Sequence, residues 1–170
     1  MRLHTRTLLA VCAIGVVVGA LAACGGTSKN SASDRTIQKD AALFQIDQVE
    51  RAFHRAGSTH DVNLMMSLFA PGAVFNLGLE TFSGKAQIRR FFATHNAAFQ
   101  PQNDWESDTP SYKIRETVNG DKATLYFECH YVDVKTGRVR SVIGVDHNLQ
   151  KIDGKWLIVD ASASTATLSA

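Results

Sequence analysis

The stretch His60 to Phe75, HDVNLMMSLFAPGAVF, limits the fold more than any other part of the chain. Asp61 stands where a helix N-cap belongs, its carboxylate placed to accept backbone N–H bonds from the first turn. Val62, Met65, Met66 and Phe69 recur at helical spacing and predict a short helix with one buried face. Pro71-Gly72 predicts the end of that helix, and Ala73-Val74-Phe75 the start of a strand. Leu79 to Phe82 then returns as its partner, with Gly78 permitting the bend. A chain that turns a helix straight into a hairpin must arrange its other helices and strands against that corner.

Upstream, Ala42, Ile46, Val49, Phe53 and Ala56 recur at spacings of four, three, four and three, which predicts a helix from Ile37 with Gly57 as its stop. At 170 residues and 45% apolar content the chain holds one domain with a little to spare, and the spare part is at the front. Arg2, His4 and Arg6 precede an uncharged apolar run from Leu8 to Ala20, which reads as a secretory signal too short for a membrane span. That run ends in Leu21-Ala22-Ala23-Cys24, which resembles the bacterial lipobox. The resemblance implies removal of residues 1–23, a diacylglyceryl and acyl (palmitate) anchor on Cys24, and a lipoprotein held on the extracytoplasmic face of the cell membrane. Residues 24–36, rich in Gly, Ser and Asn, are expected to form a flexible tether.

Without residues 1–23, which carry two arginines and no acid, sixteen basic residues face sixteen acidic ones. No basic stripe is left for non-specific phosphate-backbone contacts, so nucleic acid is not an expected partner. The cysteines sort by the same cut. Cys12 leaves with the signal, Cys24 takes the lipid, and Cys129 remains alone, so no intramolecular disulfide is expected in the mature chain. Cys129 lies in an alternating pattern and reads as a small buried core residue.

Downstream, Ser83 precedes a third predicted helix on which Ile88, Phe92, His95 and Phe99 share a face, with Phe91 beside them and Arg89 and Arg90 towards water. Gln100 to Ser111 reads as a loop, with Trp105 covering core. From Tyr112 the period falls to two, and turn signals at Asn119-Gly120, around Gly137 and at Asp153-Gly154 divide the rest into four strands of an antiparallel meander. Between Lys122 and Val134, one face carries Ala123, Leu125, Phe127, Cys129 and Tyr131 and is expected to meet the helices. The other carries Thr124, Tyr126, Glu128, His130 and Val132. Helices followed mostly by strands make an α+β domain, with three helices packed on one face of a curved sheet.

The corner helix, the stretch Phe82-Ser83-Gly84-Lys85-Ala86-Gln87-Ile88-Arg89-Arg90-Phe91-Phe92 and the hairpin Asp153-Gly154-Lys155-Trp156-Leu157-Ile158 together resemble the SnoaL-like branch of the NTF2-like superfamily, over residues 37–166. The resemblance implies a cone-shaped barrel that often dimerises through its sheet. Its members include isomerases, dehydratases and cyclases, so the fold does not name a reaction. In ketosteroid isomerase, a relative of known mechanism, an aspartate base works with an oxyanion hole made by a tyrosine and a protonated aspartic acid. Aligned to that pattern, the tyrosine falls on Phe53 and the base on Leu77, so both groups are missing; the second acid falls on Asp146. Proton abstraction by that route is therefore not expected.

Strand parity sets a conflict at the next residue. Ile143, Val145, His147 and Leu149 share one face, and Val142, Gly144, Asp146 and Asn148 the other. Hydrophobic parity puts His147 inside and the isomerase-like alignment puts Asp146 there; both cannot point inward without a bulge. His147, Asp146 and His95 are the candidate acid–base groups. A pocket lined by Phe53, Phe69, Leu77, Phe92, His95, Phe127, Tyr131 and His147 is expected from the same faces. His54, His60, His95, His130 and His147 show no zinc-motif spacing, and no cofactor or metal is expected. The reading these features favour is a lipid-anchored, non-catalytic module for a small hydrophobic ligand or a partner protein. The alternatives are a SnoaL-like isomerase, dehydratase or hydrolase using those three residues, and an interaction domain that dimerises through its sheet.

Overall fold

The corner forms, with one change to its logic. Asp61 caps α2 (Val62–Ser67), its Oδ1 accepting from the Leu64 N–H at 2.8 Å. The helix ends at Ser67, before Pro71-Gly72, and β1 (Phe69–Leu77) begins at Phe69 rather than at Ala73. Pro71 and Gly72 sit exposed inside that strand, where its register against β7 shifts between Phe69 and Val74. Proline has no N–H to give to a ladder, and an irregularity is where a strand tolerates it. Met65, Met66 and Phe69 are buried as predicted, Val62 is half-buried and Phe75 joins the core; β2 (Glu80–Ser83) returns antiparallel after Gly78, whose φ is +60°.

The molecule is described here from a computed structural model over residues 32–108 and 111–168. The signal segment, Cys24 and residues 25–31 of the expected tether lie outside the described residues. The first helix, α1 (Ala32–Ser58), starts five residues ahead of Ile37, so residues 32–36 are helical rather than tether. Asp34 in its first turn complements the helix dipole, a signal outweighed in composition by the neighbouring serines. Gly57 is not the stop. Asp61 N–H bonds to Ala56 C=O at 2.9 Å and His60 N–H to Gly57 C=O at 3.3 Å, a Schellman ending with His60 at φ +54°.

Gly57 has another task. A Cβ there would lie 2.8 Å from the Tyr131 hydroxyl and 3.1 Å from its ring, and Tyr131 is buried with nowhere to move. Gly57→Ala should therefore destabilise by about 1–2 kcal/mol in urea melts, overpacking outweighing alanine's better helix propensity. Adding Tyr131→Phe should restore most of the loss; an unchanged loss in the double variant would refute the contact as its cause.

After β2 come α3 (Gly84–Thr94), a 3-10 turn (Ala97–Phe99), β3 (Trp105–Ser107), β4 (Tyr112–Asn119), β5 (Lys122–Asp133), β6 (Val139–Ile152) and β7 (Lys155–Thr167). The predicted loop thus holds a short strand, β3, paired with the far half of β5. The sheet runs β2-β1-β7-β6-β5-β3, with β4 beside the first half of β5. Among the described residues every pairing is antiparallel except β1 with β7. Two edges stay open, so the sheet is a cone and not a closed barrel. The last hairpin turns on Asp153 and Gly154, at φ 49° and 78°, the left-handed pair that a tight turn between right-twisted strands requires. Among the described residues the buried hydrophobic core runs from Ile46 to Ala163.

Candidate functional site

The predicted parity of β5 holds: Ala123, Leu125, Phe127, Cys129 and Tyr131 are buried against the helices. On β6 the conflict resolves towards His147, which is 2% exposed, while Asp146 lies on the outer face. The space inside is small. Phe53, Phe75, Phe92, Tyr131 and Val145 wall a residual pit of about 20 Å³. Aromatic side chains fill the rest, with Phe53 edge-on to Phe127 at 5.3 Å and Phe92 to Phe99 at 5.1 Å. Above the pit, at the end of the cone where α3 stops, a cleft of about 200 Å³ opens between Leu77, Phe91, Asn96, Trp105, Ile143 and Thr165.

Of the expected lining residues, Phe53, Leu77, Phe92 and Tyr131 face this interior. Phe53 and Leu77 stand where the isomerase-like pattern wants a tyrosine and an aspartate, and they offer only carbon. Phe69, Phe127 and His147 are core residues behind the pit rather than part of its wall. His95 does not point into the core. Helix α3 ends at Thr94, so His95 becomes its exposed C-cap at the cleft rim, with Nδ1 bonded to the Thr94 hydroxyl at 2.6 Å. Trp105 is half-buried; it covers core, as expected, and also forms part of the cleft wall. Asn96 stands at the junction of cleft and pit. Its Oδ1 accepts from the Ala98 N–H at 3.1 Å, and its Nδ2 makes no hydrogen bond among the described residues.

The three acid–base candidates do not meet. His147 Nδ1 donates to the Leu125 carbonyl at 3.1 Å, its ring stacks on Phe127 at 4.9 Å, and its buried Nε2 has no partner. Burial pushes its pKa down to about 4, against the small upward pull of that carbonyl bond, so it is a neutral imidazole at ordinary pH. Asp146 instead joins Asn76, Tyr126, Gly144, Ser162 and Ser164 around a shallow outer groove.

The sequence reading missed the main polar cluster. Glu50 and His54, one helical turn apart on α1, are 1% and 0% exposed. His54 Nδ1 meets the Ser107 hydroxyl at 2.5 Å; its Nε2 meets the Ser111 hydroxyl and lies 3.1 Å from Glu50 Oε1 and 3.5 Å from Cys129 Sγ. Ser111 also bonds Glu50 through both hydroxyl and N–H. Burial raises the Glu50 pKa, but the hydrogen bonds of His54 and Ser111 and the charge of His54 outweigh it, leaving the carboxyl below its ordinary value. Ser107, His54 and Glu50 have the order of a hydrolytic triad, yet all three are buried and none of them lines the pit, the cleft or the outer groove. With no reachable nucleophile the cluster acts as a bolt between α1, β3 and the start of β4. Burial raises the Cys129 thiol far above its usual range, which removes it as a nucleophile. Among the described residues no group of side chains is arranged to hold a metal ion.

Comparison with known proteins places this geometry. The SnoaL-like domain family matches residues 49–158. An NTF2-like protein with a cystatin-like fold from Novosphingobium aromaticivorans superposes with a TM-score of 0.66 at 14% identity, covering 84% of this chain and 94% of its own. A Mycobacterium tuberculosis protein of unknown function gives 0.67 at 15% identity, over 81% and 79% of the two chains. A proposed dehydratase of the NTF2-like family from Streptomyces avermitilis gives 0.60 at 16% identity, over 77% and 99%. Comparison with curated protein sequences finds no match.

Proposed function

The chain belongs to the SnoaL-like family, and from that premise we propose that it is a lipid-anchored, extracytoplasmic module that binds one small, mostly apolar ligand without transforming it. The observation that carries this reading is the cleft ending on a filled interior. Its walls are apolar at Leu77, Phe91, Trp105 and Ile143, Asn96 offers it an Nδ2 without a partner among the described residues, and His95 at its rim has no second acid–base group beside it. At about 200 Å³ it is smaller than the ~300–1,000 Å³ of sites for drug-sized molecules. The ligand is accordingly small, with an apolar body and one oxygen acceptor for Asn96 Nδ2.

The catalytic alternative loses support for the same reason. A general base must reach the proton it removes; His147 is sealed in the core, Asp146 lies on the outer sheet face, and His95 stands at the cleft rim without either of them beside it. Docking of a second copy on the outer sheet face is part of the proposal. There Arg115 lies 4.0 Å over the Tyr126 ring and the Tyr126 hydroxyl donates to Glu128 at 2.9 Å, a rigid polar surface suited to a partner.

The test is native mass spectrometry of the full chain solubilised from its host membranes. A co-purified small molecule is expected, lost in Asn96→Leu and retained in Asp146→Asn. Release of converted product when candidate ligands are added would overturn the non-catalytic reading. Cys24→Ala should abolish membrane retention and labelling by a palmitate analogue; survival of both would sink the lipid anchor.

A further inference from the structure

We propose a second site, at the opposite end of β6 and β7 from the cleft: a groove between the first turns of α1 and the β4–β5 turn that binds a phosphate group. Its volume is about 570 Å³, and Arg35, Lys39, Lys151, Trp156, Asn119 and Asp121 stand around it.

Helix α1 supplies the first two charges. The face of α1 that packs on the sheet carries Ala42, Ile46, Val49, Phe53 and Ala56, and the same stripe continues backwards at spacings of three and four to Lys39 and Arg35. The overhanging turns thus aim cations along the sheet-facing side, over the β6–β7 hairpin, where a helix meeting only water has no reason to place them. Across the groove, Lys151 lies 6.0 Å from the centre of the Trp156 ring.

These charges are not spent within the protein. Arg51, Lys113, Lys135 and Arg140 each hold an acid within ion-pair distance. Among the described residues Arg35, Lys39 and Lys151 hold none, and Asp121 is the single carboxylate in the groove wall. A second observation is independent of charge. Trp156 is 6% exposed and lines the groove, and its indole Nε1–H is a buried donor with no acceptor. An orphaned buried donor is costly unless something outside the protein accepts from it. Three cations around one open space, with an unmet N–H buried in the wall beside them, call for a multiply charged group with several acceptor oxygens, which is the chemistry of phosphate. Phosphate of this kind reaches a groove either as a free ester or as the headgroup of an anionic lipid.

The experiment uses the chain from Cys24 onward, which keeps all the core residues found among the described residues and lacks the apolar leader. Inorganic phosphate and glycerol 1-phosphate are titrated calorimetrically at low ionic strength, and vesicles of phosphatidylglycerol or phosphatidylcholine are used in cosedimentation. Saturable binding is expected, weakened about tenfold in Lys39→Gln and in Lys151→Gln and several-fold in Trp156→Phe, as for loss of one charge-assisted or buried hydrogen bond. Lys85→Gln, on α3 away from the groove, should leave it unchanged. Comparable affinity for the soluble esters identifies a free phosphate ligand; binding to phosphatidylglycerol vesicles alone identifies the lipid headgroup. No saturable binding to any probe, or equal weakening by Lys85→Gln, overturns the site.

Discussion

His54→Ala is expected to destabilise the fold by about 3–5 kcal/mol, the loss seen when a buried carboxylate is left without its partner. Spread over a domain of this size, that is a fall in melting temperature of roughly 10 °C or more. His54 is fully buried and is the hub of the cluster, contacting Ser107 on one ring nitrogen and Glu50 and Ser111 on the other. Without it the Glu50 carboxylate, whose Oε2 is already buried without a partner, keeps only Ser111. The Ser107 hydroxyl and the Cys129 thiol are left facing a void as well. Burying an uncompensated charge costs more than the void, so removing the charge too should help. Glu50→Leu combined with His54→Leu should cost less than His54→Ala alone. Urea unfolding followed by circular dichroism measures both; a single variant within 1 kcal/mol of wild type would show that the bolt does not hold α1 to the sheet.

Why this bolt escaped the sequence while the corner and the meander did not follows from where each signal is stored. Alternation along β5 and β6 is local: once Leu125 and Phe127 are inside, Cys129 must be, and His147 follows Val145 on the strand paired with it. The turns are local too, since Asp153-Gly154 carries its own left-handed backbone. Glu50 and His54 read locally as the polar border of an amphipathic helix. What buries them is Ser107, Ser111 and Cys129, more than fifty residues further on. The i, i+4 acid–histidine spacing was visible; its burial was not. The extent of the pocket is illegible for a related reason. Faces predict which side chains turn inward, but only packing shows that Phe53, Phe92, Phe127 and His147 together leave little space. His95 turned outward because α3 stops at Thr94, and helix ends are the least legible part of a periodic pattern.

The buried imidazole leads to the second large effect, an acid sensitivity that sets in well above the carboxylate range. The folded-state pKa of His147 is lowered from 6.5 to about 4 because burial disfavours the cation. The unfolded chain therefore binds a proton that the folded chain refuses, and the stability tied to the neutral ring is fully present above about pH 6.5 and lost as pH falls towards 4. At 1.36 kcal/mol per pH unit the loss by pH 5 is about 2 kcal/mol. Glu50, also lowered, adds its loss in a different window, below its ordinary value of 4.5. Glu116 runs the other way: burial first, then Asp47 and Glu50, hold its carboxyl up, so it disfavours the fold as pH rises through that value. Comparing variants rather than raw curves isolates the ring. His147→Phe keeps an aromatic between Phe53 and Phe127 and removes both the titration and the unpartnered Nε2. Between pH 7.5 and 5 its unfolding free energy should stay flat with respect to this group, while wild type falls by about 2 kcal/mol more. Parallel curves for the two proteins across that range would mean that the imidazole at position 147 is protonated in the folded state, and that the interior of the cone is wetter than its packing implies.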